Sequence, residues 1–216
     1  CVLDALAAKM LARASLFRVA PATEDGTARA QSAYLAELVA PCSVGLSADA
    51  ILAFQSRPER AFCDSRAGSE TAVAGGAEDG GPSPLDALFS EGAAAFWARL
   101  EWAFGRTPGG IVTASWALHP TMTPLGASRW TNEPDTFDVL RTTFKGALST
   151  NGTVHDLWLD FAIARAFLGS ADDGFHLPER RSLGDAARVP LDWEIPWPTT
   201  PRRLGPRRPL HPTGAS

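Results

Sequence analysis

Large apolar side chains recur every three or four positions along much of the chain, and that period predicts helices. The opening segment, CVLDALAAKMLARASLF, places Leu3, Leu6, Met10, Leu11 and Phe17 near helical spacing and predicts a helix over 1–18. Pro21 and Gly26 mark a loop. Helical spacing resumes in TARAQSAYLAELVA, with Tyr34, Leu35 and Leu38 on one side, and Pro41 stops it because a proline interrupts the helical hydrogen-bond ladder. A shorter helix is expected from Ser47 to Gln55 with Ser47 as its N-cap, and RPERAF is expected to start a further turn.

The pattern vanishes over 65–83, where glycine stands at 68, 75, 76, 80 and 81 and large apolar residues are nearly absent. Such a stretch lacks the apolar surface to order itself and reads as a flexible loop. It divides an N-terminal helical segment, 1–64, from a main helical core, 84–178. There PLDALFSEGAAAFWARLEWAFG sets Leu88, Phe89, Phe96, Trp97, Leu100 and Phe104 on helical spacing, with Gly105 as C-cap. GGIVTASWALHP is short and apolar; helix is favoured over strand. TMTPLGASRWTNEPD is a polar loop whose Asn132 is the expected N-cap of the next helix, with Pro134 in its first turn and Asp135 at its third position. That helix carries Phe137, Val139, Leu140 and Phe144 on one face.

TVHDLWLDFAIARAFLG opens with Thr153 and Asp156 in capping-box spacing. Its interior is apolar nearly all round (Val154, Leu157, Trp158, Leu159, Phe161, Ile163, Phe167, Leu168), the mark of a helix central in a core, and Gly169 is its expected end. Beyond Pro178 prolines become frequent, and RVPLDWEIPW is the only strand-like run. The stretch 179–216 is expected to be an extended Pro/Arg-rich tail leading to a further, β-rich domain. The expected fold class is therefore mainly α: a bundle-like or orthogonal helical domain with a long Gly-rich loop and an extended C-terminal tail.

Composition changes this picture little. The chain's 216 residues are 45% hydrophobic and 20% charged, ordinary for a globular protein with a sizeable core. The net charge of -4 leaves no overall basic footprint for nucleic acid. Four arginines and no acidic residue in 201–216 give +4, so the preceding residues carry -8. Only Lys9 and Lys145 are lysines, a bias that points to a GC-rich genome. No apolar run reaches the ~20 residues that cross a bilayer. The chain opens at Cys1 inside a helical pattern and is expected to be a piece of a larger protein at both ends. Its three cysteines, Cys1, Cys42 and Cys63, form no C-x-x-C; Cys42 pairing with Cys63, or buried thiols, are the two readings.

The chemistry in view is sparse. H-E-x-x-H, G-x-S-x-G, the Walker loop and G-x-G-x-x-G are all missing. The histidines (His119, His155, His176, His211) show no i,i+4 pair. Asp156 and Asp160 lie one turn apart and have the chemistry of an acid–base pair, although a solvated stripe is favoured. Arg165 falls on the apolar side near Trp158 and Phe161, and is expected to pack its stem there and bond a carboxylate or carbonyls. Ser115 and Ser128 show no activating partner. Asn151 begins a glycosylation sequon, but Asn-Gly also makes a turn, which is the favoured reading. Most tryptophans lie in helical apolar patterns and are expected in the core; Trp193 and Trp197 alternate with polar residues and are expected to dock the tail. The densest local chemistry is ADDGFHLPE, 171–179. Asp172, Asp173 and His176 are the candidate cation ligands. The favoured alternative is a turn whose aspartates bond local amides while Gly174 supplies a positive φ. The alternating ligand pattern of a calcium loop is missing.

Residues 84–190 resemble a region of uncharacterised exported bacterial proteins through FWARLEWAFG, NEPDTFDVLRTTFKG and LWLDFAIARAFLGSADDG. They are also similar to the C-terminal helical lobe of gluzincin-type zinc metallopeptidases. The resemblance covers about half of the chain and implies export and, for the second family, one wall of a substrate cleft. That family's zinc and acid–base residues have no counterpart in this sequence, so no catalytic residue and no cofactor is implied. The expected function is a non-catalytic structural or interaction module of a larger exported protein, with the following domain of the same chain as its partner. The alternative is a metallopeptidase-like lobe whose catalytic motif lies before Cys1 or has been lost.

Overall fold

The computed structural model describes residues 1–21, 23–46, 48–58, 60–63, 84–105, 107–118, 124–126, 129–130, 135–145, 153–177 and 181–189. The protein is mainly α. Helices run over Val2–Val19 (α1), Asp25–Val39 (α2), Ser43–Leu46 (α3), Ala48–Gln55 (α4), Pro84–Gly92 (α5), Ala94–Phe104 (α6), Gly110–Trp116 (α7), Thr136–Phe144 (α8) and Val154–Ala166 (α9). Among the described residues one antiparallel pairing joins Pro124–Gly126 to Arg129–Trp130, within the stretch expected to be a loop. Short 3-10 turns follow at Gly169–Ala171 and Arg181–Ala187. The expected loop over 65–83, the tail beyond 189 with Trp193 and Trp197, Ser47 as a cap, Asn132, Pro134, and the sequon at Asn151 lie outside the described residues. So do His119, His211 and Ser128.

One core serves both sides of the Gly-rich stretch. Tyr34, Ile51, Phe54 and Phe62 from the N-terminal segment pack with Phe89, Phe96, Trp97, Leu140, Phe144, Leu157 and Phe161. Its centre is aromatic. Phe62 lies 4.5 Å from Phe96 and 4.7 Å from Trp158, and the Phe96 and Trp158 rings stack at 4.7 Å. Offset and tilted aromatic pairs of this kind add to the energy of burial itself. Phe62 comes from the turn after α4, so a loop residue fills the space between α6, α8 and α9.

Arg165 is the polar exception in this core, only 3% exposed. Its guanidinium carbon lies 4.2 Å from the Phe54 ring centre and 5.8 Å from that of Phe161. Nε donates to Gln55 Oε1 at 2.8 Å, and a terminal nitrogen donates to the Phe54 carbonyl at 2.9 Å. Gln55 answers by donating Nε2 to the carbonyls of Arg165 (3.1 Å) and Ala187 (2.9 Å). The C-terminus of α4, the last turn of α9 and the second 3-10 turn are thus joined by one exchange of hydrogen bonds. The expectation that Arg165 packs its stem and bonds carbonyls holds at the Phe54 carbonyl.

Several expectations need correction. Leu159 and Ile163 of α9 are exposed, so the helix is not buried all round; it sits at the edge of the core on Leu157, Phe161, Ala164 and Arg165. Its α-helical turns end at Ala166, and Gly169 instead opens the first 3-10 turn with φ +66. A Cβ on Gly169 would lie 2.1 Å from the Gly184 carbonyl oxygen, so both backbone sign and space require glycine. Arg181–Ala187, expected to be extended, forms the packed turns that meet it, and Ala187 is buried. The N-cap of α8 is Asp135, whose Oδ1 accepts from the Phe137 and Asp138 amides, rather than Asn132. Gly105 does cap α6, but in an extended conformation. Cys42 is bridged to Cys1, with a Cα–Cα separation of 6.1 Å, and not to Cys63, which lies half-buried against the core. The bridge ties the start of α1 to the end of α2, which the antiparallel packing of these helices brings together.

Arg165→Met keeps the stem but leaves Gln55 Oε1 without its donor, at about 1–3 kcal/mol for a buried acceptor, while the Phe54 carbonyl keeps the Arg57 amide at 3.3 Å and loses only the charged donor. Urea unfolding of this variant is expected to show a loss of about 3 kcal/mol; an unchanged midpoint would show that the clasp carries no stability.

Candidate functional site

The turn after α9 gathers the chemistry that the sequence singles out. Asp172 Oδ1 accepts from the Gly174 amide at 2.7 Å. Asp173 Oδ1 accepts from the amides of Phe175 (3.0 Å) and His176 (3.2 Å), while its Oδ2 lies 2.8 Å from His176 Nδ1. Gly174 has φ +78. The His176 ring stacks on Phe167 at 4.2 Å, and Leu177 is buried behind it. From α6, Arg99 donates to the His176 carbonyl at 2.8 Å and Trp102 Nε1 to the Phe175 carbonyl at 3.1 Å. Asp173 and His176 are therefore joined to each other, and Asp172 Oδ1, both Asp173 oxygens and His176 Nδ1 are spent on the turn's own backbone or on that pair. Among the described residues no group of three or more His, Cys, Asp or Glu side chains is placed to hold a metal ion.

The amide of Phe175 is the main reason that the Asp173 carboxyl lies below its ordinary value of 3.8, with His176 adding to the effect. A carboxyl depressed in the folded state contributes stability that is complete above its ordinary value. That contribution is lost as the pH falls through the lower folded value.

The paired aspartates of α9 have separate tasks. Asp156 closes the capping box with Thr153, and the Thr153 amide is the main cause of its lowered pKa. Asp160 takes a two-pronged ion pair from Arg99, with both N–O distances at 2.7 Å. Neither is left as an acid–base partner for the other, and Asp160 is not simply a solvated residue. Ser115 is buried, donates to the Val112 carbonyl at 2.6 Å and accepts from Gln31 Nε2 at 3.1 Å, which gives it a packing role. Trp102 is more than half exposed, against the expectation that the helical tryptophans lie in the core.

One buried carboxylate escapes the sequence reading. Glu101 Oε1 accepts from the amides of Ile111 (2.7 Å) and Val112 (3.3 Å) and so caps α7 from ten residues upstream. Burial raises its pKa above the ordinary value, the two amides pulling the other way, and its Oε2 has no hydrogen-bond partner. The available signal was Gly109–Gly110, a helix start without a capping side chain of its own.

Among the described residues, exposed apolar side chains gather on α1. On α1, Leu3, Leu6, Met10 and Leu11 are 54–78% exposed. The opposite face of the same helix holds Ala5, Ala8 and Ala12, the buried Leu16, and two cations. Lys9 pairs with Glu91 of α5, and Arg13 with Asp25 of α2. Leu16 and Ala20 meet Ala28 and Trp116 in a small second core. Alanines allow close approach to α2 and leave no room there for leucine or methionine, so the large apolar residues of α1 face away from the body.

No protein-family model, no curated protein and no solved structure matches the chain.

A carbon-13 titration of Asp173 is expected to give a midpoint below 3.8, and the unfolding free energy of the wild type to fall through that lower range. Asp173→Asn is expected to lack that part of the acid dependence. An Asp173 midpoint at or above the ordinary value would contradict the turn geometry.

Proposed function

We propose that this chain is a non-catalytic helical interaction module of a larger exported protein, and that it docks through the outward face of α1. The single observation that carries the reading is the exposure of Leu3, Leu6, Met10 and Leu11 on one helix. Contiguous apolar surface of this kind is costly to leave in water and is characteristic of an association surface. The body beneath does not need these side chains, because its aromatic core closes without them.

Two further features support the reading. The Cys1–Cys42 bridge suits an oxidising compartment, where such bonds persist. The conspicuous carboxylates and the cationic Arg99 are engaged in caps and ion pairs rather than converging on an open cleft. Among the described residues no helix is long and apolar enough to cross a membrane, so α1 is read as a surface element.

Photo-crosslinking in the intact full-length protein tests this directly. A benzophenone amino acid at position 10 is expected to give a discrete adduct in cells, while one at the exposed Arg188, off this face, gives none. If position 10 gives no adduct under conditions in which the probe is active, the docking role of α1 is wrong.

A further inference from the structure

We infer that the occupant of the α1 face is a second copy of this chain, paired through an antiparallel α1–α1 contact. The inference rests on the docking role just proposed and adds the identity of the partner. Leu3, Met10 and Phe17 are seven residues apart and Leu6 lies between the first two, which is the start of a helix-pairing seam; the position equivalent to Leu6 in the next heptad is Arg13, turned inward to Asp25. Ala7 and Ala14 flank that seam and let a facing helix come close. From Leu3 to Phe17 the seam runs for about 21 Å at 1.5 Å per residue.

Charge fixes the choice of partner and its direction. Asp4 and Arg18 are both exposed on the same flank of the seam, each seven residues from Leu11; within one copy Asp4 also lies 3.3 Å from the terminal ammonium of Cys1, a pair that leaves its side chain 78% exposed. A twofold axis at Leu11 with the helices antiparallel therefore sets Asp4 of one copy beside Arg18 of the other, twice by symmetry. The same axis brings Leu6 of one copy near Phe17 of the other. A parallel pair would instead place Asp4 against Asp4 and Arg18 against Arg18. The other cations of α1, Lys9 and Arg13, are already paired to Glu91 and Asp25 within the fold. An outward face with one acidic and one basic group suits a copy of itself better than an anionic lipid surface, which selects a run of cations on the polar face.

Asp4 near the start and Arg18 near the end of a helix also complement its dipole within a single chain, so the test must separate the two effects. In the proposed dimer, Asp4→Arg sets two like-charged pairs together, and Asp4→Arg with Arg18→Asp restores both pairs in reverse. For the dipole alone the double reversal is the worst variant.

The measurement is sedimentation equilibrium of the oxidised chain at low salt, with circular dichroism confirming the fold of each variant. The expected species has twice the chain mass of 22.9 kDa. Met10→Glu buries a charge in the seam and is expected to weaken the dimer about 100-fold. Asp4→Arg is expected to weaken it about 10-fold, and the double reversal to recover the wild-type constant. A monomer at about 100 µM, which corresponds to an association weaker than ~5 kcal/mol, overturns the inference. So does a dimer indifferent to Met10→Glu, or a monomer that instead sediments with anionic vesicles. If the chain is monomeric yet position 10 crosslinks to a different protein, only the second copy is wrong. If it is monomeric and position 10 gives no adduct, the docking role falls as well.

Discussion

A guanidinium buried in an aromatic core is expensive unless its hydrogen bonds are met. Arg165 meets them with the end of α4, through the Gln55 side chain and the Phe54 carbonyl, while its charge lies over the Phe54 ring. Gln55 passes the link on to Ala187. Because those groups cannot be re-satisfied elsewhere in an apolar interior, α4, α9 and the C-terminal 3-10 turns are held in one arrangement. Phe62 can then close the space between α6, α8 and α9, and Gly169 can approach Gly184 to the point where only glycine fits.

That closure leaves α1 outside. Its contact with the body is made of alanines, Leu16, the pairs Lys9–Glu91 and Arg13–Asp25, and the bridge to Cys42. Half-exposed ion pairs contribute little energy, but they fix rotation about the helix axis. With the inner face set in that way, the leucines and Met10 have only the outer face left. The proposed docking role follows from this rotation.

Helix existence was legible because 3.6-residue periodicity and caps are local. The spans of α1 and α4, the helix over α7 and the Thr153–Asp156 capping box were visible in the chain, whereas α2 begins at Asp25 and takes Gly26, expected in the loop, into its first turn. So was the turn chemistry of Asp172, Asp173 and Gly174. The direction of a helix face was not legible, since it depends on which surface the neighbour offers. Leu3, Leu6 and Met10 on α1, and Leu159 and Ile163 on α9, have core-like spacing and face water. The links of long separation were equally hidden: Cys1 to Cys42, Gln55 to Arg165, Arg99 to Asp160, and Glu101 to α7. Each joins residues whose proximity arises only from packing.

The central claim is that the core is complete without the outer face of α1. Unfolding free energy in dilute solution, below about 1 µM, measures this most directly through Leu6→Ser with Met10→Ser against Leu16→Ala. Surface substitutions fall within about 0.5 kcal/mol of the wild type, whereas a buried leucine cut to alanine costs about 2–5 kcal/mol. The outer pair is expected to give the first outcome and Leu16 the second. A large loss from the outer pair with little effect at Leu16 would show that α1 is rotated the other way and would contradict a core that closes without its outer face.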